Sequence, residues 1–269
     1  ERLASAAYSQ LRRLPFYHTF NHKSHPNVIE LAERLKSIAP VPMSKVLFQC
    51  SGSEAMDTAC KLVWYYFNSI GRPEKRKIIG RKGSYHGSTV VAASLSGESK
   101  LHEDFNLPLY PFIHTSFPHY SREAQANESE EQFSSRMADE LEQLILKENP
   151  DHCAAFFAEP VQISAGVILP PEKYFEKIQK VLKKYRLLFV VDEVATGFGR
   201  TGKMWGSEIY KLIPDMLICA KALTASFMPV SALLVNEKIY QSMLVESEKI
   251  GIFSHGFTSG AHPVGTAVA

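Results

Sequence analysis

Lys221 stands between two alanines in Ala220-Lys221-Ala222-Leu223-Thr224, just past the apolar run Met216–Cys219. A lysine among small apolar neighbours is a candidate for burial and a lowered pKa, which would make its amine a nucleophile; a snorkelling surface lysine is the plain alternative. Two acids occupy comparable positions. Glu159-Pro160 follows the apolar run Ala154–Ala158, and Asp192-Glu193 follows Leu187–Val191. An acid directly after a wholly apolar strand is partly desolvated, which is costly unless a cation or donor meets it. One such acid could be a helix cap; two ending separate strands look more like a site. Ser51-Gly52-Ser53-Glu54 has capping-box spacing and opens a helix whose free N–H groups and dipole suit a phosphate. Taken alone, that segment reads first as an ordinary cap. Tyr85-His86-Gly87 puts an aromatic residue beside glycine, where a flat ring could stack on it. Alone, it reads first as a turn with a partly buried tyrosine, and His86 is expected chiefly to order that turn.

The elements that must position these groups alternate between helix and strand. Helices are expected over 27–39 (Val28, Leu31, Leu35 and Ile38 on one face), 53–70, 87–95, 129–148, from Pro170 through Tyr185, and over 237–247. Strands are expected at Val46–Gln49, Lys77–Arg81, Ala154–Ala158, Leu187–Val191, Met216–Cys219 and Ser231–Val235. Residues 97–128, rich in Pro, His and aromatics, are expected to be an irregular excursion. Alternating βα units with strands apolar on both faces predict a three-layer α/β domain: a mainly parallel sheet flanked by helices. In such sheets ligands bind beyond the carboxyl ends of the strands, where each residue singled out above lies.

Of the 269 residues, 45% are hydrophobic and 22% charged, as in a soluble globular protein able to bury a large core. The net charge of +2 gives no electrostatic footprint for nucleic acid or for a membrane surface, and no apolar run reaches spanning length. Cys50, Cys60, Cys153 and Cys219 form no CxxC pair and are expected to be free thiols in a reducing, cytoplasmic setting. The chain begins with Glu1 and stops one turn after Pro263 opens a helix, so it is expected to be a segment of a longer polypeptide.

Ser51-Gly-Ser-Glu-Ala55, Tyr85-His86-Gly87, Glu159-Pro160-Val161, Asp192-Glu193-Val194 with Gly197-Phe-Gly-Arg-Thr-Gly202, Pro214-Asp215, Ala220-Lys221 and His255-Gly-Phe-Thr258 together resemble the class III (omega) aminotransferases, which depend on pyridoxal 5'-phosphate (PLP). The blocks follow the family's order and spacing across essentially the whole chain. Tyr17-His18 and Phe117-Pro-His-Tyr120 look closest to amine:pyruvate transaminases. The resemblance implies the PLP-dependent aminotransferase large domain over 1–269, without the N-terminal segment and small C-terminal domain of the family, so that the segment alone would be weakly active or inactive. It implies amino transfer from an amine or omega-amino acid to a keto acid, with pyruvate the expected acceptor. Lys221 would form the Schiff base and move the proton, and Asp192 would pair with the pyridinium nitrogen. Tyr85 and Val194 would cover the two ring faces, and Glu159 would support the ring's polar edge. Ser51, Gly52 and Ser53 would form the phosphate cup, with His86 and Gly87 beside it. Thr258 would reach the phosphate of a neighbouring subunit, which implies a homodimer with shared sites. Three positions depart from the family: Met56, where Asn is usual, Cys50, where Asn or Thr is common, and Ser226, where Gly is common. Aminomutase, racemase or decarboxylase chemistry would share this machinery.

Gly197-Phe-Gly-Arg-Thr-Gly202 matches the dinucleotide-binding glycine pattern, the basis of an alternative nicotinamide-dependent oxidoreductase, but Lys203–Ser207 does not read as a helix start. His18, His22 and His25 have metal-like spacing but no nearby acid or thiol, and no metal is expected. Trp64, Tyr65 and Tyr66 read as helix-face aromatics. A non-catalytic scaffold would more readily have lost Lys221 or Asp192, and both are present.

Overall fold

A strand with no polar residue on either face must lie inside a sheet covered on both sides. Two segments of this chain, Cys153–Ala158 and Met216–Cys219, meet that condition throughout, and two more, Leu188–Asp192 and Ser231–Val235, meet it but for one polar residue at an end. A computed structural model describes residues 1–269. In chain order the elements are α1 (Arg2–Arg13), α2 (Pro26–Ile38), β1 (Lys45–Gln49), α3 (Gly52–Ser69), β2 (Lys77–Arg81), α4 (Val90–Leu95), β3 (Phe112–Thr115), α5 (Tyr120–Glu123), α6 (Glu130–Lys147), β4 (Cys153–Ala158), α7 (Tyr174–Tyr185), β5 (Leu188–Asp192), α8 (Gly206–Tyr210), β6 (Met216–Cys219), β7 (Ser231–Val235), α9 (Glu237–Ile250) and α10 (Pro263–Val268). Single 3-10 turns occur at Ser99–Leu101 and Lys221–Thr224.

The seven strands form one sheet in the order β1-β7-β6-β5-β4-β2-β3. All neighbours are parallel except that β7 runs against both β1 and β6. Because alternate side chains of a strand point to opposite faces, adjacent residues enter different cores. Ile78, Phe157 and Val190 join α3, α4 and α9 in one layer. Ile79, Phe156 and Val191 join α6 and α7 in the opposite layer. Leu217, Ala232 and Leu234 pack with Leu31 and Leu35 of α2 and with Trp205. The three-layer, mainly parallel architecture is therefore the one the apolar runs predict.

Several expectations need correction. Residues 97–128 are not simply irregular, because β3 lies there as the sheet's edge, paired in parallel with β2. The helix expected to open at Pro170 begins at Tyr174, after Lys173 takes a left-handed conformation. Lys203–Ser207 does lead into a helix: the Glu208 side chain accepts from Trp205 N at 2.8 Å, and α8 starts at Gly206. Helix α1 carries only one buried residue, Gln10, and the apolar pattern gives no sign of it. The four cysteines are free; three are buried and Cys50 is half-buried.

At the edge of the sheet opposite the polar strand ends, the buried Lys75 donates to the carbonyls of Cys153 (2.6 Å), Pro150 (3.1 Å) and Tyr185 (3.4 Å), joining the entrances of β2 and β4 to the end of α7. Burial, reinforced by the Arg72 charge, pulls its pKa from 10.5 to about 8. Between those values the unfolded chain holds a proton that the folded chain has released, so stability rises as pH rises through the window. Lys75→Met should abolish that rise and, by stranding three carbonyls, lower stability at pH 7 by about 2 kcal/mol. Urea unfolding at pH 7 and pH 9.5 checks both, and an unaltered pH slope in the variant would refute the assignment.

Candidate active site

The carboxyl ends of β1, β2, β4, β5 and β6, with the start of the reversed β7, surround one cavity of about 410 Å³. Cys50, Ser51, Gly52 and Ser53 enter it after β1, and Tyr85, His86 and Gly87 after β2. Glu159 enters after β4, Asp192 and Val194 at the end of β5, and Lys221 after β6. Every residue that the resemblance assigns a place at the cofactor lines this cavity except Thr258. That residue is exposed in the 251–262 connection between α9 and α10, outside the cavity of its own chain.

The α3 terminus is built as the spacing predicts. Ser51 Oγ accepts from Glu54 N at 3.2 Å, and the Glu54 carboxylate accepts from Cys50 N (2.7 Å) and Ser51 N (3.2 Å). The cap leaves Gly52 and Ser53, the first residues of an 18-residue helix, with N–H groups that have no carbonyl one turn back inside the helix. A Cβ on Gly52 would stand 3.3 Å from Val194 Cγ2, so glycine keeps open the space between the helix start and the Val194 side chain. Gly87, at φ +138°, lies so close to Ser53 that a Cβ would fall 2.3 Å from Ser53 Oγ. Ser53 Oγ accepts from Ser88 N at 3.0 Å, which ties the Tyr85 loop to the helix start.

Asp192 is buried, and each carboxylate oxygen holds one hydrogen bond. Oδ1 accepts from Val194 N at 2.9 Å, and Oδ2 meets His86 Nδ1 at 2.8 Å. Each oxygen keeps a further lone pair for a donor in the cavity. His86 therefore does more than order its turn, because it pairs directly with the acid. Its backbone N–H donates to Ser96 Oγ at 2.7 Å, while its Nε2 is buried without a partner. Glu159 accepts from Tyr85 N at 3.2 Å, and its carbonyl accepts from the buried Arg81 guanidinium at 2.6 Å. Burial pushes the Glu159 carboxyl up to about 7; the His86 charge opposes that shift and Asp192 adds to it.

Two adjacent acids separate into different tasks. Glu193 turns away from the cavity and accepts from Ser207 N and Oγ (both 2.6 Å), Gly206 N (3.0 Å) and the Thr196 hydroxyl. It thereby fixes the Gly197–Gly202 stretch as a turn against Trp205, whose ring leaves no room for a Cβ on Gly197. No residue of that stretch lines the cavity, and it does not cradle a ligand at a helix start. His25 caps α2 through Val28 N and reaches the Ala261 carbonyl at 2.7 Å, so it serves as a structural tie. Asp215 likewise anchors β5 and β7, accepting from Phe189 N and Asn236 Nδ2.

The sequence reading is wrong on one property of Lys221. It predicts burial from the small apolar neighbours, but Lys221 is exposed to the cavity, while Leu223 and Thr224 behind it are buried. The chain turns sharply there: Lys221, Ala225 and Ser226 all have positive φ (42°, 50° and 60°), and Ser226 N donates to the Lys221 carbonyl at 2.9 Å. The sequence reading also misses lining residues. Ile163 and Ser164 come from a hairpin closed by the Gln162–Ile168 pair, and Met228–Val230 from the return to β7. Only Gly166, at the hairpin tip, hinted at the first.

The model of the class-III aminotransferase family matches residues 1–269. A probable gamma-aminobutyrate transaminase 4 of Oryza sativa subsp. japonica is 52% identical over all of this chain and 56% of its own length. A vanillin aminotransferase of Capsicum chinense is 52% identical over all of this chain and 59% of its own. A solved transaminase with L-Ala superposes with a TM-score of 0.98 at 54% identity, covering 99% of this chain and 63% of that one. The omega transaminase of Pseudomonas jessenii in complex with PMP gives 0.98 at 51% identity, covering 99% and 59%. The chain thus spans somewhat over half the length of these relatives.

Two outcomes follow from the geometry. A carboxyl raised in the folded state stabilises below its unfolded pKa of 4.5 and loses that contribution as pH rises through about 7. Cofactor-free Glu159→Gln should therefore match the unmutated protein near pH 4.5 and exceed its stability by roughly 2 kcal/mol at pH 8; equal stability at pH 8 would contradict the burial argument. Ser226→Gly should raise stability by about 0.5–1 kcal/mol by relieving a side chain held at positive φ. Thermal melts will show a higher midpoint if the turn is as described.

Proposed function

Because the chain belongs to the class-III aminotransferase family, whose members depend on PLP, we propose that it carries out transfer of an amino group from an amine or omega-amino acid to a keto acid, with pyruvate the preferred acceptor. The observation that carries this reading is one cavity holding an exposed amine (Lys221), a buried carboxylate–imidazole pair (Asp192–His86) and an open helix start (Gly52, Ser53). That set fits a flat, phosphorylated ring carrying a basic nitrogen. When bound, PLP supplies an aldehyde that condenses with amines and a ring that draws electrons from the substrate carbon.

The placement of this chain's residues supports the following roles. The N–H groups of Gly52 and Ser53 hold the phosphate, where the α3 dipole favours an anion. Tyr85 and Val194 line the cavity and would cover the faces of the ring, and Gly52 leaves room beside Val194. Asp192 holds a proton at the ring nitrogen. His86 would keep the carboxylate in place through its 2.8 Å contact. Lys221 Nζ would hold the cofactor through its aldehyde carbon and, when free, would take the proton from the substrate carbon and return it at the neighbouring position. Glu159 holds the Tyr85 backbone and supports the polar side of the site.

Gamma-aminobutyrate, in the name of one relative, is an omega-amino acid, and vanillin, in the name of another, is an aldehyde whose aminated form is an amine without a carboxylate; L-Ala in a related structure has pyruvate as its keto acid. These names support an amine or omega-amino acid as donor and pyruvate as acceptor. A homodimer with Thr258 serving the neighbouring site and residence in a reducing compartment, the cytoplasm, complete the reading. The four free thiols support the second point, although the rice gamma-aminobutyrate transaminase 1 is named as mitochondrial.

In the full-length protein, Lys221→Ala should lower turnover with an amine donor and pyruvate by about 10^4-fold and abolish covalent retention of PLP after borohydride. Asp192→Asn should slow the amine half-reaction by about 10^2-fold or more while PLP still binds. Stopped-flow and mass measurements test both, and ordinary turnover in Lys221→Ala would sink the proposal.

A further inference from the structure

The connection from α9 to α10 has almost no backbone pairing of its own: within 252–260 the recorded bonds are His255 N to the Phe253 carbonyl and Gly260 N to the Phe257 carbonyl. Its position is set by side chains. Phe253 meets the Tyr65 ring edge-on at 5.7 Å, and Gly256 lies so close to Phe20 that a Cβ would stand 2.6 Å from its ring. The polar contact to α3 is His255, whose Nδ1 lies 2.9 Å from Lys61 Nζ and Nε2 2.9 Å from Thr58 Oγ1.

These bonds run in one direction. The Lys61 ammonium can only donate, so Nδ1 accepts. The Thr58 hydroxyl spends its proton on the Glu54 carbonyl at 2.8 Å, so it accepts from Nε2–H. The relay Lys61 → His255 → Thr58 → Glu54 carbonyl therefore requires neutral imidazole with its proton on Nε2. A proton on Nδ1 would face the lysine, and burial together with that charge lowers the His255 pKa to about 4. Glu54 is also the residue whose side chain closes the cap beneath Gly52 and Ser53.

We infer that His255 is a positioning residue: it latches the loop carrying Thr258 to helix α3, so that the exposed threonine is presented at a fixed height to the phosphate site of a second copy of this chain. This rests on the proposed PLP chemistry and adds to it a device that acts through Thr258.

The test uses full-length apoprotein titrated with PLP. His255→Ala and Thr258→Val should each raise the PLP Kd about tenfold, and the double variant should exceed Thr258→Val by no more than about twofold. Amide exchange over 253–260 should quicken about tenfold in His255→Ala but not in Thr258→Val. Should His255→Ala fail to fold, Lys61→Met, a change at an exposed side chain, should still raise the Kd about threefold. A His255→Ala Kd within twofold of the unmutated value, or effects that multiply in the double variant, would overturn the latch while leaving the PLP assignment standing. Absence of PLP binding by the unmutated protein would overturn both.

Discussion

The constraint on which the site depends is the placement of a carboxylate at the end of an all-apolar central strand. Asp192 closes β5, whose five residues are all buried. A charge there is tolerable only if fixed donors replace the water it has lost. Val194 N provides one from the chain immediately following. His86 provides the other from β2's loop, two strands away, and is itself held by Ser96. Holding Asp192 thus also fixes where the Tyr85 loop sits, and Ser53, at the start of α3, fastens the same loop from its other side through Ser88 N. Electrostatic compensation of one residue sets the relative positions of three strand ends.

The neighbouring acids show how narrowly the local environment decides a role. Glu193 is more deeply buried than Asp192, yet four donors from one short turn surround it and leave nothing facing the cavity. Glu159 is also buried but has a single donor, Tyr85 N, so desolvation dominates and its proton is held to near neutral pH. The apolar strands in front of these acids look alike in the sequence; the number and origin of donors beyond each strand end separates scaffold from site.

That difference explains what could be read in advance. Strands β2, β6 and β7 fall where their apolar runs predict because two-sided burial leaves a continuous signal bounded by polar or turn residues. The edge strand β3 has only Phe112–Thr115, half of it partly exposed, among prolines and histidines, so neither alternation nor length marks it. Helix α8 is a five-residue element held by Glu193 and Glu208, and a local window does not contain its partners. The small neighbours of Lys221 predict its burial, but the lysine itself faces the cavity. Its small neighbours do pack inward, but the left-handed turn at Lys221 rotates its own side chain out to the open side. Thr258 is assigned to a site on family resemblance alone, and within its own chain it lies outside the cavity.

The reversed direction of β7 is what closes the site, and it follows from loop length. A parallel return after β6 would need a crossover of a dozen or more residues, normally with a helix. Residues 220–230 provide only eleven, folded into one 3-10 turn and a tight left-handed bend. The chain must therefore come back beside β6 in the opposite sense, so β7 begins at the same edge at which β6 ends. Met228–Val230 become a wall of the cavity into which Lys221 projects. At the first residue of β7, Ser231 Oγ donates to the Ser51 carbonyl at 2.7 Å. The short return thus joins the lysine turn to the helix start proposed to receive the phosphate. The three αL residues at Lys221, Ala225 and Ser226 are the local strain that this short return imposes.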